Sequence, residues 1–171
     1  MNTATPTPQP DPRFNTGLAE PRQIAHLTGL QMLEAMKAGD LPMPPFTDIL
    51  PNWPHDAGEG WIEFRARPMA KFSNPMGSVH GGWAMTMLDT AMGCACHTTL
   101  AAGETYASLD THVKFTRPLL ETVGEVRITG RVISRGRRIV TVDGELRDLQ
   151  GKLYAQGTSS CIVSRLQGAS A

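Results

Sequence analysis

The chain has 171 residues, enough for one domain with a real core, and its sixteen Lys plus Arg balance sixteen Asp plus Glu. A net charge of zero supplies no field to gather nucleic acid or an anionic membrane surface, so an anionic partner must meet a local basic patch. The three cysteines, Cys94, Cys96 and Cys161, are odd in number and sit in apolar runs, which suits small buried hydrophobes in a reducing compartment rather than a disulfide framework.

The opening MNTATPTPQPDPRF has neither a basic n-region nor an apolar h-region, and no apolar run approaches the ~18 residues of a membrane span. The expectation is a cytoplasmic protein that does not engage membrane. Residues 1–20, rich in Pro and Thr with little to bury, predict a disordered tail. Over 21–39, Ile24, Leu27, Leu30, Leu33 and Met36 recur at helical spacing between a Pro suited to a first turn and a Gly suited to a stop. That predicts one amphipathic helix, and LPMPPF at 41–46 ends it, so 21–50 reads as an N-terminal helix and Pro-rich loop. The main domain is expected over 51–166, with a short tail at 167–171.

Within that domain Ile62, Phe64 and Ala66 alternate with Trp61, Glu63 and Arg65, a strand. The run 81–98 is apolar almost all round, from Trp83 to Cys96, and predicts a helix enclosed by protein. The period then changes to two. Over 106–115, Ala107, Leu109, Thr111, Val113 and Phe115 share one face, while Tyr106, Ser108, Asp110, His112 and Lys114 take the other. Further strands are expected around Val126 to Val132, Val140 to Leu146 and 153–163, joined by turns at Arg135-Gly136-Arg137 and Gln150-Gly151-Lys152. Helix, strand, long buried helix and four strands favour an α+β domain with an antiparallel sheet curled round one helix.

Asp89 is the only formally charged residue between Lys71 and Glu104, in the middle of the most apolar helix. A buried carboxylate without partners costs several kcal/mol or shifts its pKa, so it is either hydrogen-bonded for structure or kept for a task. Directly upstream, NPMGSVHGG at 74–82 sets Asn74, His80, Gly81 and Gly82 before the helix start. Backbone N–H groups there have no intrahelical acceptor, and glycine lets a substrate atom come close, which makes an oxyanion site. Asn74 can donate its amide to the same oxygen, and His80 can orient the turn. Asn-Pro and Met-Gly are also ordinary turn formers, and a His before Gly-Gly can serve only as a cap.

The pattern Asn74-x5-His80-Gly81-Gly82-x6-Asp89, followed by a strand with Ser108-Leu109-Asp110, resembles the hotdog-fold thioesterases of the phenylacetate-degradation (PaaI-like) branch. The segments FTRP, ISRGRR and KLYAQG fit that family in order, and the resemblance runs from about Trp61 to Val163. It implies a hotdog fold, a curved antiparallel sheet wrapped round a long helix, and a homodimer, in some members a dimer of dimers, with active sites between subunits. It further implies hydrolysis of an acyl-coenzyme A, with coenzyme A as part of the substrate and no cofactor. Gly81 and Asn74 would polarise the thioester carbonyl, and Asp89 of the other subunit would activate water or attack directly. Ser108 would hold that water, His80 would support the turn, and Thr90 would partner Asp89. The hairpin Arg135-Gly136-Arg137-Arg138 would lie near the coenzyme A phosphates, which arginine forks bind well; a solvated turn protecting a sheet edge carries the same residues.

Other chemistries find less support. Cys94 and Cys96 point to nearly opposite sides of a helix, and no Cys-x2-Cys or His-x3-His spacing exists for zinc. Gly77-Ser78 lacks the G-x-S-x-G frame. A hotdog acyl-thioester dehydratase or hydratase, using His80, and a noncatalytic acyl-CoA-binding module remain as alternatives.

Overall fold

The computed structural model of the chain describes residues 15–165. Three α-helices, α1 (Pro21–Ile24), α2 (Gly29–Ala38) and α3 (Gly81–His97), accompany six strands: β1 (Asn52–Gly58), β2 (Trp61–Ala66), β3 (Glu104–Phe115), β4 (Val126–Arg135), β5 (Ile139–Asp148) and β6 (Leu153–Arg165). The strands form one antiparallel sheet in the order β1-β2-β4-β5-β6-β3, curled round α3 as the element order predicts.

A single cross-strand row sets how close the helix lies. Gly130 of β4 pairs with Gly144 of β5, which pairs with Gly157 of β6. A Cβ on Gly130 would stand 2.2 Å from the Ala91 carbonyl oxygen, and one on Gly144 would stand 2.8 Å from Met92 Cγ. The α3 backbone therefore rests directly on the centre of the sheet, where any side chain would hold it off. Met92 lies in this trough, and Leu88, Ala91, Ala95 and Cys96 are likewise without exposed surface. They pack on Ile62, Ile128, Val140, Val142 and Leu146, each facing inward at alternate strand positions.

Several sequence expectations change. The helix expected as one over 21–39 is two, because Thr28 starts a new one: its hydroxyl accepts from the Gln31 N–H at 3.2 Å, and Gln31 accepts from the Thr28 N–H at 2.9 Å. Gly39 ends α2 in the left-handed region at φ 85°. β1 was not foreseen, since Pro54 argues against a strand, but β1 is an edge strand and tolerates it. Of the tail expected over 1–20, residues 1–14 lie outside the described residues, as do 166–171; Asn15 and Gly17 hydrogen-bond the Met43 backbone at 2.8 and 2.9 Å.

α3 is not enclosed all round. Met85 and Asp89, one turn apart, are exposed on the side away from the sheet, with Thr86 and Thr90 half-buried beside them. β3 also departs from strict alternation. A bulge between Ser108 and Asp110 shifts its register on β6, so Tyr106, Ser108, Thr111, Val113 and Phe115 pair with Val163, Cys161, Ser159, Gly157 and Ala155. Ser159, Cys161 and Val163 are buried core positions, so Ser108 and Thr111, predicted on opposite faces, share the helix side.

Two consequences can be measured. Gly130→Ala should destabilise the fold by about 1–3 kcal/mol through overpacking, lowering Tm by roughly 2–4 °C per kcal/mol in a chain of this size; an unchanged thermal melt would refute the seating described. His97, at the end of α3, has both ring nitrogens shielded and without a partner among the described residues, and burial lowers its pKa from the ordinary 6.5. Its neutral form is the folded one, so stability is complete above pH ~6.5 and declines below it as the unfolded chain takes up the proton. Denaturant titrations across pH 5–8 should show this slope, and His97→Gln should flatten it.

Candidate active site

The turn at 74–80 is built around one side chain. Asn74 Oδ1 accepts from the backbone N–H groups of Met76 at 2.9 Å and Ser78 at 3.3 Å, while its Nδ2 donates to Ser78 Oγ at 2.8 Å. An amide nitrogen carries two protons, so the second remains for a ligand. His80 follows as the N-cap of α3, its Nδ1 accepting from the Gly82 N–H at 2.9 Å. That contact uses the imidazole for the helix start. The Gly81 N–H has no acceptor among the described residues, and a Cβ on Gly81 would stand 3.0 Å from the Phe115 ring, so glycine here also lets the end of β3 approach.

These groups open on a cavity of about 480 Å³ lined by Asn74, Gly81, Phe115, Arg117, Leu119 and Tyr154, among others. Arg117 in its lining was not foreseen, nor was Lys152, which shares the Tyr154 ring with it. The Arg117 guanidinium and the Lys152 ammonium lie 6.0 and 5.9 Å from the centre of the Tyr154 ring, and Tyr154 is held by its hydroxyl to Asp148 at 3.3 Å. Neither cation has a carboxylate within salt-bridge distance among the described residues. The sequence signal for Arg117 was the FTRP segment; the stacking on Tyr154 needed the fold.

Arg135, Arg137 and Arg138 sit elsewhere. All three are exposed on the β4–β5 hairpin, and Arg135 is committed to Thr99 Oγ1 at 3.2 Å and Glu104 at 3.7 Å. Arg135 touches Thr99 just past the end of α3, whereas Gly81 begins that helix, so the hairpin lies roughly 25–30 Å from the Gly81 cavity of its own chain.

Asp89 is also apart from that cavity, about 12 Å further along α3 and exposed on the open stripe. The buried-carboxylate expectation is thus corrected for the single chain: the apolar residues around Asp89 in sequence point to the sheet, and Asp89 points away. Its Oδ1 accepts from Thr111 Oγ1 at 2.8 Å. Thr90 donates its hydroxyl to the Thr86 carbonyl at 2.8 Å instead, so the carboxylate's hydroxyl partner is Thr111, which the bulge turned toward the helix. Ser108 lies on that same side opposite Cys161. Cys161 is held below its ordinary pKa first by Cys96 and more weakly by the Ser159 and Ser108 hydroxyls. Burial first, and the Asp89 charge second, push the Cys94 thiol up to about 12, so it stays a neutral wall beside the carboxylate.

Among the described residues no helix is long and apolar enough to cross a membrane, and no cluster of metal-ligating side chains occurs.

Comparison with known proteins gives consistent matches. The family model described as Thioesterase superfamily matches residues 76–155, from the oxyanion-type turn through Tyr154. A Haemophilus influenzae protein provisionally named an esterase is 30% identical over 109 residues, covering 64% of this chain and 72% of that one. Among solved structures, a Ralstonia eutropha protein provisionally named a thioesterase and phenylacetic acid degradation-related is 30% identical, with a TM-score of 0.70, covering 76% of this chain and 98% of that one. A thioesterase from Haemophilus influenzae is 25% identical with a TM-score of 0.66, covering 73% and 86%.

The two duties of Asn74, shaping its turn and offering a proton, can be separated. Asn74→Ala loses all three hydrogen bonds and should cost about 1–3 kcal/mol in urea unfolding, whereas Asn74→Asp keeps the two acceptor contacts and should cost distinctly less. Equal costs for the two variants would contradict the turn geometry described.

Proposed function

The chain belongs to the thioesterase superfamily, with a hotdog fold and thioester hydrolysis as its class of reaction, and on that premise we propose that it hydrolyses an acyl- or aryl-acetyl-coenzyme A at a site completed by two copies of the chain. One observation carries the second half of this reading. Asp89 and the Asn74–Gly81 cavity lie on separate open surfaces of one chain, and the unpaired edge of β3 runs between them. Twelve residues of edge strand, with Leu109 58% and Phe115 53% exposed, are a template for a second strand. Antiparallel pairing of β3 with its copy about a twofold axis sets the Phe115 end of one chain beside the Glu104 end of the other. Asp89 of one subunit then faces Gly81 and Asn74 of its partner.

The reaction follows from those groups. Asp89, oriented by Thr111, takes a proton from water as the water oxygen bonds to the thioester carbon. The developing oxyanion accepts from the Gly81 N–H and the second Asn74 amide proton, a donor pair of which each member is worth about 3–4 kcal/mol in comparable sites. Collapse of the tetrahedral intermediate breaks the C–S bond, coenzyme A leaves as thiolate and regains a proton, and the free acid remains. Ser108 stands on the same side of β3 as Thr111 and can hold the water. Nδ1 of His80 caps the helix, which favours a positioning part for this imidazole over the base that the dehydratase alternative needs. Arg117, which lines the cavity, and Lys152 beside it on the Tyr154 ring are cations of the same subunit suited to the phosphates of coenzyme A; the hairpin can serve from the partner, whose Glu104 end β3 pairing brings close.

Free thiol release from a panel of aryl, short-chain and long-chain acyl-CoAs tests the chemistry. Asp89→Asn should lower kcat by at least about a hundredfold; tight binding without release on every substrate would leave only a binding module. Subunit sharing has its own test: Asp89→Asn and Asn74→Asp, each inactive alone, should regain about a quarter of wild-type activity once mixed and re-equilibrated, since half the dimers then hold one intact site. No recovery would place both groups in one chain.

A further inference from the structure

A second cavity, of about 400 Å³, lies under the N-terminal segment. Ile24, Leu27 and Met32 of the α1–α2 region form one wall, and His97, Ala101 and Thr105 form the other. Both helices lie outside residues 76–155, the span matched by the family model. The chamber is a built one. The Gly29 N–H donates to the Leu100 carbonyl at 3.0 Å, and a Cβ on Gly29 would stand 1.7 Å from the His97 carbonyl oxygen, so α2 docks on the end of α3 backbone to backbone. Burial lowers the pKa of the His97 imidazole, which has no partner for either nitrogen among the described residues.

Asp89, Gly93 and His97 occupy positions i, i+4 and i+8 of α3 and form one stripe, with steps of about 6 Å. The carboxylate stands at one end of the stripe and the chamber at the other. Tyr106 fills the step between them. Its hydroxyl oxygen lies 2.6 Å from where a Cβ on Gly93 would be, and its ring tilts against His97 with centroids 5.7 Å apart. The bulge in β3 turns it toward α3, and Gly93 leaves the space it needs.

We propose that Tyr106 is a partition between the Asp89 end of the site and the chamber under α1 and α2, so that the chain selects short or single-ring acyl groups and excludes long ones. The inference rests on the proposed hydrolysis of an acyl-CoA. An acyl group carried past Asp89 along this stripe meets the Tyr106 ring before it reaches the apolar wall of Ile24, Leu27 and Met32. Removing the ring joins the two spaces and supplies room with Ile24, Leu27 and Met32 on one wall, although Glu104 and Thr105 border the other.

The test compares kcat/KM for butanoyl-, hexanoyl-, decanoyl- and tetradecanoyl-CoA in wild type, Tyr106→Ala, Tyr106→Phe and the double variant Tyr106→Ala/Met32→Trp. Wild type should fall at least about tenfold from hexanoyl to decanoyl, a step that a pocket wall can impose. Tyr106→Ala should remove that fall, Met32→Trp added to it should restore it by refilling the chamber, and Tyr106→Phe should keep the wild-type profile because the ring is what obstructs. Wild type accepting decanoyl as well as hexanoyl would overturn the partition, as would a Tyr106→Ala protein of unchanged circular dichroism that loses all chain lengths equally. Tyr106→Leu replaces Tyr106→Ala if the latter fails to fold. If no acyl-CoA is hydrolysed, the hydrolysis reading falls by itself, and calorimetric binding of hexanoyl- and decanoyl-CoA to the same proteins still decides the partition. Tighter decanoyl binding in Tyr106→Ala than in wild type upholds it, and equal binding rejects it.

Discussion

The contact on which everything else depends is the seating of α3 on the row Gly130, Gly144 and Gly157, with its backbone against Gly130 and the Met92 side chain over Gly144 and Gly157. A helix held off by ordinary side chains would stand about 10 Å above a sheet; here the Ala91 carbonyl descends to where a Cβ of Gly130 would be. Close seating has two results. It fixes the rotation of α3, with Leu88, Ala91, Met92, Ala95 and Cys96 among the residues buried against the core, and it therefore turns Met85 and Asp89 outward. It also fixes the height at which the helix start enters, and so the place where the Gly81 N–H meets the end of β3 at Phe115.

The second constraint is the bulge in β3. Without it, period two would set Ser108 and Thr111 on opposite faces, and only one of the two hydroxyls could face Asp89. One extra residue near Leu109 puts Tyr106 and Ser108 in phase with Thr111, Val113 and Phe115, so a single strand contributes a ring, a hydroxyl and the carboxylate's hydrogen-bond donor to the same side. The cost of the irregularity falls on Leu109, left exposed on the edge. On an edge strand this is tolerable, because no further strand of the same chain must match the register.

The sequence carries the element order and the chemistry-bearing residue types well. The helix at 81–97 and the four strands after it follow from period changes and turn residues, and the HGG-x6-D pattern points to the family through side chains that must be Gly, His and Asp at fixed spacing. What escapes it depends on contacts remote in sequence. Pro54 argues against β1 until one knows that β1 is an edge. Thr28 as a new helix start is legible only as a capping box within an otherwise continuous periodic run. The glycines of the central row lie in three separate strands and align only once register is known. Arg117 and Lys152 are thirty-five residues apart and become a pair through Tyr154. The positive hairpin at 135–138 draws attention by local density, yet it stands at the wrong end of its own chain.

Asp89 shows how a sequence argument can start from the wrong surface. Its apolar sequence neighbours suggested burial inside one chain, whereas they face the sheet and leave the carboxylate open. If two copies pair along β3, Asp89 comes under the partner, and its desolvation becomes a term in association rather than in folding. A carboxylate sealed in a dry interface with only Thr111 as donor would oppose pairing by several kcal/mol. Pairing is favourable only where the interface keeps water at the second carboxylate oxygen, and a hydrolase needs a water at that position. The same requirement explains why the groups around Asp89 are small and hydroxylated, Thr86, Thr90, Ser108 and Thr111, while the apolar exposed residues Leu109 and Phe115 lie along the edge where contact can be dry.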